Sequence, residues 1–260
     1  MTFDLRRIQR ESFVRWVEYQ QVLPSTNDRA LELAAHPNVT TPILVLAEEQ
    51  TAGRGRGTNR WWSAPGALTF TLVLHDGPMR LCSERWPCVS LTAALAVCEA
   101  VAPLVPQHAV TIRWPNDVYL AGRKLCGILP EFVSPAAVPP RLVLGIGINV
   151  NNSLADAPAD VRAIGVSLSD LAARRLDPTD VLIPVLQRLE AGLNRLASGD
   201  ATLAEAWAER CMLRNRTVEL QLAPHRVRGI CRGVDADGAL ILENHGQVSR
   251  YFAGIVAAAE

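Results

Sequence analysis

The spacing of apolar positions changes several times along the chain, and each change marks an element. Leu5, Ile8 and Phe13 fall on one side of a short amphipathic helix within residues 1–15. Residues 16–23 and 42–49 read as strands, and between them Pro24-Ser25-Thr26-Asn27-Asp28 supplies N-cap residues for a helix over 29–35. Residues 67–74 alternate as a strand, whereas 86–101 are alanine-rich and apolar throughout, which predicts a buried helix. A strand over 110–113 leads into Trp114-Pro115, where the proline disfavours helix and favours an extended turn projecting Asn116 and Asp117. Residues 118–120 and 125–132 read as the arms of a hairpin turned at Ala121-Gly122-Arg123. Strand alternation then places Lys124 and Cys126 on one face and Leu125 on the other. Residues 141–150 predict a strand in which Gly145 and Gly147 leave a bare patch of sheet open to a flat ligand. Helices are expected over 166–173, 179–197 and 202–210, with Pro184 in the early turns of the second. Short strands follow over 217–222, 227–234, 239–243 and 248–252, a pattern that predicts a small β-barrel packed on the rest of the chain.

The length of 260 residues, 49% of them hydrophobic, suffices for one large domain and a small one. The change in pattern puts the boundary near residue 212, giving domains 1–212 and 213–260. Strands and helices followed by a barrel of short strands make the fold class α+β. Lys+Arg and Asp+Glu both total 26, so no net charge draws the chain to nucleic acid or to an anionic membrane. Cys82, Cys88, Cys98, Cys126, Cys211 and Cys231 are scattered, without a C-x-x-C pair or a zinc-like histidine spacing. They read as reduced core residues, and a cytoplasmic location is expected. The N-terminus has no apolar signal region, and no stretch reaches about 18 uninterrupted apolar residues. The segment ahead of the first strand is too short for a helix-turn-helix domain.

Candidate chemistry gathers in a few places. Lys124 is the only lysine, all other permanently cationic side chains being arginine. A compact ammonium fits between two small anionic groups where a planar guanidinium does not. Gly53-Arg54-Gly55-Arg56-Gly57 alternates flexible backbone with bidentate cations, as a loop built for an anion would. Its glycine spacing is wrong for a dinucleotide fingerprint. Of Trp61 and Trp62, which follow, one is expected to cover a ligand ring and the other to fill the core. Ser25, Thr26 and Asn27 stand at a strand-to-helix turn, where hydroxyls, an amide and free N–H groups face a polar ligand or simply cap the helix. Gly127 leaves room for a group to lie against the sheet.

Four of these segments occur in a recognisable order: STN at 25–27, EQTAGRGRGTNRWWS at 49–63, RWPNDVYLAGRKLCGILPE at 113–131 and GIGINV at 145–150. Together with Gly229, Gly233, Asp237-Gly238 and Tyr251-x-x-Gly254, they resemble the biotin protein ligases over nearly the whole chain from about residue 16. The resemblance implies a mixed sheet of the class II aminoacyl-tRNA synthetase and biotin ligase type with an SH3-like C-terminal barrel. It implies activation of biotin by ATP to biotinyl-5′-AMP, with Mg²⁺, and transfer of biotin to a lysine of a biotin carboxyl carrier domain of a carboxylase. Lys124, Arg54, Arg56 and Asp117 become the catalytic candidates. Ser25, Thr26, Asn27, Gln50, Gly53, Arg54, Gly55, Arg56, Lys124 and Gly127 become the biotin site, and Arg56, Trp61, Asn116, Lys124 and Asn149 the nucleotide site. Asp117 is left with two roles, orienting the acceptor lysine or holding Mg²⁺, and no residue is assigned as a metal ligand. Two departures stand out. The DNA-binding domain of repressor-type members is absent, so neither a nucleic-acid partner nor a membrane is expected. Gly57-Thr58-Asn59-Arg60 lacks their further glycine-arginine step, like the short-loop enzymes. Both a monomer and a homodimer are compatible with the resemblance, and a lipoate ligase of the same fold is the rival reading.

Overall fold

A computed structural model describes residues 3–75, 85–134, 140–222 and 224–259. Cys82 lies outside them; the other five cysteines are free and buried, as core residues should be. The chain runs α1 (Leu5–Glu11), β1 (Trp16–Leu23), α2 (Thr26–Ala35), β2 (Ile43–Gln50), β3 (Leu68–His75), α3 (Trp86–Val101), β4 (Val110–Arg113), β5 (Asp117–Leu120), β6 (Arg123–Val133) and β7 (Arg141–Ile148). Then come α4 (Ala159–Ile164), α5 (Leu168–Ala172), α6 (Pro178–Ser198) and α7 (Thr202–Arg210), followed by β8 (Thr217–Leu222), β9 (His225–Val234), β10 (Leu240–Asn244), β11 (Gln247–Tyr251) and β12 (Ile255–Ala259).

Among the described residues, seven strands form one mixed sheet in the order β1-β2-β3-β7-β6-β5-β4, in which β1 and β2 run parallel and the remaining pairs antiparallel. Side chains alternate across it with period two. Leu44, Leu72, Leu142, Leu144, Ile146 and Ile148 point to the large core beneath α3 and α6. Ile43, Val45, Val73 and Val143 point the other way, under Ala30 and Ala34 of α2. Helices α3 and α6 approach closely at Gly192, where a Cβ would stand 2.9 Å from Thr92 Cγ2. Residues 86–104 have the length and apolarity to cross a membrane, yet 67% of the stretch is buried inside the fold, which makes it the core helix foreseen from its composition.

The hairpin β5–β6 turns through Ala121 (φ 49°) and Gly122 (φ 78°), the pair of left-handed residues that a two-residue turn requires. Its register then shifts: Val118 pairs with Cys126 but Tyr119 with Lys124, so Leu125 is an extra residue on β6. That bulge overturns the expected alternation. Lys124 follows Tyr119 and Asp117 onto one face, while Cys126 follows Val118 into the core, where burial pushes its thiol well above the usual range.

The C-terminal strands form a separate antiparallel sheet in the order β11-β10-β9-β8-β12. Strand β12 was not expected, because IVAAA has neither alternation nor β-branched residues at its end. α4 was missed as well; six residues are too few to show a helical period. The sheet packs on the main body as anticipated. Trp114 Nε1 donates to Gly238 O at 3.0 Å, Arg113 to Val256 O at 3.0 Å, and Val218, Leu220 and Leu242 join the large core.

Candidate active site

Beyond the N-terminus of α2, the apolar α2 face of the sheet gives way to small and polar residues: Thr69, Thr71, Gly127, Gly145 and Gly147. Here the sheet floors a cleft of about 940 Å³, walled by the loop after β2, the N-terminus of α2, α4 and the segment at Ile255 and Val256. All of the residues assigned to catalysis, the biotin site or the nucleotide site line it: Ser25, Thr26, Asn27, Gln50, Gly53, Arg54, Gly55, Arg56, Trp61, Asn116, Asp117, Lys124, Gly127 and Asn149.

One end of the cleft is a buried hydrogen-bonded pocket. Ser25 caps α2 through its side chain, which accepts from Asp28 N, so the helix starts at Thr26, three residues earlier than its apolar pattern indicated. The free N–H of Thr26 is satisfied by Gln50 Oε1 at 2.6 Å, which also accepts from Thr26 Oγ1 at 3.0 Å. Thr71 Oγ1 lies 2.9 Å from Thr26 Oγ1 and 2.7 Å from Asn27 Oδ1. Thr26, Asn27, Gln50 and Thr71 are all at least nine-tenths buried, so these bonds form in a low dielectric and hold the donors and acceptors in fixed directions. Replacing Gln50 by Leu leaves the Thr26 N–H buried without its acceptor. The expected result is a loss of about 1–3 kcal/mol of stability, read from thermal denaturation.

Two glycines seat side chains on the sheet. A Cβ at Gly145 would stand 1.9 Å from Asn27 Oδ1, and one at Gly147 would stand 2.4 Å from Trp61 Cε2. The patch that looked bare in sequence is thus occupied by an asparagine and an indole, with Trp61 also lying over Gly127 at 3.5 Å from the position of a Cβ. Trp61 and Trp62 are both half-buried and both line the cleft. The expected division into one ligand-facing and one core tryptophan does not hold. Trp61 Nε1 is buried without a hydrogen-bond partner among the described residues.

At the other end Lys124 Nζ donates to Asp117 Oδ2 at 2.7 Å, with 27% and 21% of the two side chains exposed. About a quarter of each side chain meets solvent, so the ammonium keeps a path to an incoming anion. Asn116 Nδ2 is spent on Ile128 O at 2.7 Å, and Asn149 Oδ1 accepts from Asn152 Nδ2 at 2.9 Å. Arg56 donates to Gly254 O, tying the glycine loop to the C-terminal sheet. Arg54 makes a fork with Glu131 and a further bond to Asp28. The Glu131 carboxylate raises the pKa of Arg54 despite partial burial.

Glu131, Asp28 and Thr71 did not stand out in the sequence. The alternation of β6 would have found Glu131, since it shares a face with Gly127 and Leu129; Asp28 showed only as a helix-capping residue, and Thr71 carried no local sign. Arg113, Tyr119 and α4 complete the walls.

Known proteins are similar to this chain in sequence and in fold. A family model described as the biotin/lipoate A/B protein ligase family matches residues 19–149. Biotin--[acetyl-CoA-carboxylase] ligase of Mycobacterium tuberculosis is 34% identical over 235 residues, covering 89% of this chain and 85% of the relative. The protein of the same description from Paracoccus denitrificans is 36% identical over 228 residues, covering 84% and 90%. Among solved structures, biotin protein ligase from Aquifex aeolicus in complex with biotin and ATP superimposes with a TM-score of 0.79 at 24% identity, over 92% of this chain and 97% of that one, a likeness of fold.

Proposed function

The chain belongs to the biotin/lipoate A/B protein ligase family, and from that premise we propose that it activates biotin with ATP and transfers it to a lysine of a biotin carboxyl carrier domain, as the description of its carboxylase-modifying relatives suggests. The observation that carries this reading is the single lysine of the chain, standing in the same cleft as a buried amide-and-hydroxyl pocket and an arginine-glycine loop. In the first step an oxygen of the biotin carboxylate attacks the α-phosphorus of ATP. A C–O–P linkage forms, the bond to the β-phosphate breaks, and pyrophosphate leaves. Carboxylate and triphosphate repel each other, so the step needs positive charge between them; Lys124 and Arg56 supply it. In the second step the acceptor amine attacks the acyl carbon, AMP leaves, and the amine gives up a proton.

Ser25, Thr26, Asn27 and Gln50 suit the ureido ring of biotin, because a ligand without that group would leave buried donors and acceptors unpaired. Trp61, Asn116 and Asn149 lie on the nucleotide side. Asp117, paired with Lys124 at 2.7 Å, is the carboxylate that would help hold Mg²⁺, and the ion would supply charge to offset the phosphates of ATP. Asp117 also stands where it can orient the acceptor lysine. Residues 213–260 are read as an SH3-like barrel domain that closes the phosphate end of the cleft through the carbonyls of Gly254 and Val256. The enzyme works in the cytoplasm.

Incubation with radiolabelled biotin, ATP, Mg²⁺ and a biotin carboxyl carrier domain should place label on the carrier. An unlabelled carrier would remove the ligase reading, and labelling by lipoate in place of biotin would select a lipoate ligase instead.

A further inference from the structure

The Glu131 carboxylate joins three parts of the chain that are far apart in sequence. Its Oε2 accepts from Asn27 Nδ2 at 2.9 Å and from Arg54 Nη1 at 2.9 Å, and its Oε1 accepts from Arg54 Nη2 at 2.8 Å. Arg54 Nη1 also donates to Asp28 Oδ1 at 2.9 Å. The N-terminus of α2, the glycine loop and β6 therefore meet at one carboxylate, with Asn27 reaching from the pocket floor and Arg54 from the loop. Among the described residues Arg54 faces two carboxylates, whereas Arg56 meets a neutral carbonyl at Gly254. The two arginines of the loop are thus unequal: the charge of Arg54 is compensated inside the protein, and that of Arg56 is available to a phosphate.

We infer that Glu131 is a positioning residue for the proposed reaction, which anchors the glycine loop through Arg54 to the same Asn27 that lines the buried polar pocket. The inference deepens the biotin ligase reading and takes its ligand from it. The carboxylate is essential to the joint. A guanidinium fork needs two acceptor oxygens in one plane, and a glutamine would turn a donor toward Arg54. With 24% of Glu131 and 37% of Arg54 exposed, the pair is only partly screened by solvent. Asn27 is 5% exposed and also borders Thr71, so a ligand that settles Asn27 also settles Glu131, and Glu131 settles the loop. Coupling of this kind is reciprocal: if anchoring favours biotin, biotin favours anchoring by the same factor.

Trypsin reads the joint directly, because the loop carries Arg54, Arg56 and Arg60. In ligand-free Glu131→Gln, loop cleavage is expected to run about three- to tenfold faster than in the unaltered protein. Biotin should protect the loop in the unaltered protein and much less in the variant, and the KM for biotin should rise by a similar factor while kcat changes less. In an Arg54→Ala background Glu131→Gln should add little further loop cleavage, since both release the loop at the Arg54–Glu131 contact. Unchanged cleavage and unchanged biotin protection in Glu131→Gln, or fully additive effects of the two substitutions, would overturn the inference. If Glu131→Gln melts early, Arg54→Lys tests the joint from the loop side, keeping the charge but losing the fork; full biotin protection in that variant would equally overturn it. Failure of the unaltered enzyme to label the carrier would instead count against the ligase reading, leaving the ligand-free cleavage comparison intact.

Discussion

Lys124→Arg is expected to fold normally and to form biotinyl-adenylate about two to three orders of magnitude more slowly, the usual consequence of displacing one preorganised charge from a reacting centre. The fold should survive because a guanidinium can still pair with Asp117, which now holds the ammonium at 2.7 Å, and because neither side chain is fully buried. The chemistry should not, because the arginine charge is spread over a plane and set farther from the backbone. It cannot occupy the gap between a carboxylate oxygen and the α-phosphate as a compact ammonium does. Pyrophosphate release in a single turnover measures the step without the carrier, and a melting curve separates a local defect from a global one. A rate within a few-fold of the original would remove Lys124 from the role assigned to it.

The second large effect is expected from one methyl group on the floor of the cleft. In Gly145→Ala the new Cβ would lie 1.9 Å from Asn27 Oδ1 and 2.7 Å from Asn27 Cγ. Asn27 cannot simply swing aside, since it is buried and bonded to Glu131 while bordering Thr71. The strain should lower stability by about 1–3 kcal/mol. Moving Asn27 also disturbs the polar pocket, so biotin affinity should fall by at least about tenfold, as when a buried polar contact is lost. Titration calorimetry with biotin gives the affinity. Gly122→Ala is the control: it adds the same methyl at a turn with nothing within 4 Å, where φ is 78°. Its cost is backbone strain alone, about 1 kcal/mol, with biotin binding unchanged. Equal biotin affinity in Gly145→Ala and the original protein would mean that Asn27 does not border the biotin pocket.

Much of this site was legible in the sequence because its parts are local signals. The N-cap run at Ser25–Asn27, the Gly-Arg alternation and the lone lysine each stand out against a neutral, arginine-rich background. Their order along the chain carried the resemblance that placed them together. The main strands and the long helices were equally plain, since period two and unbroken apolarity are properties of short windows.

Where the reading went astray, a nonlocal fact had intervened. Strict alternation put Lys124 beside Cys126, but the extra residue at Leu125 separates their faces, and a bulge has no required residue type to announce it. Gly145 and Gly147 were correctly seen as room on the sheet, yet what fills that room comes from Asn27 and Trp61, far earlier in the chain. Asn116 lines the cleft, and what holds it there, a bond from its amide nitrogen to Ile128 O on the neighbouring strand, has no mark in the sequence.

By itself the sequence determined the strands and helices, the residue types brought to the cleft and the need for a compact cation among anions. Only the tertiary structure decided which cation is compensated and which is available. Arg54 meets Glu131 across 77 residues and Arg56 meets Gly254 across 198. The physical reason is range: periodicity and capping act over a few residues of backbone, whereas the partner of a long charged side chain is whatever the folded sheets place within 3 Å of it.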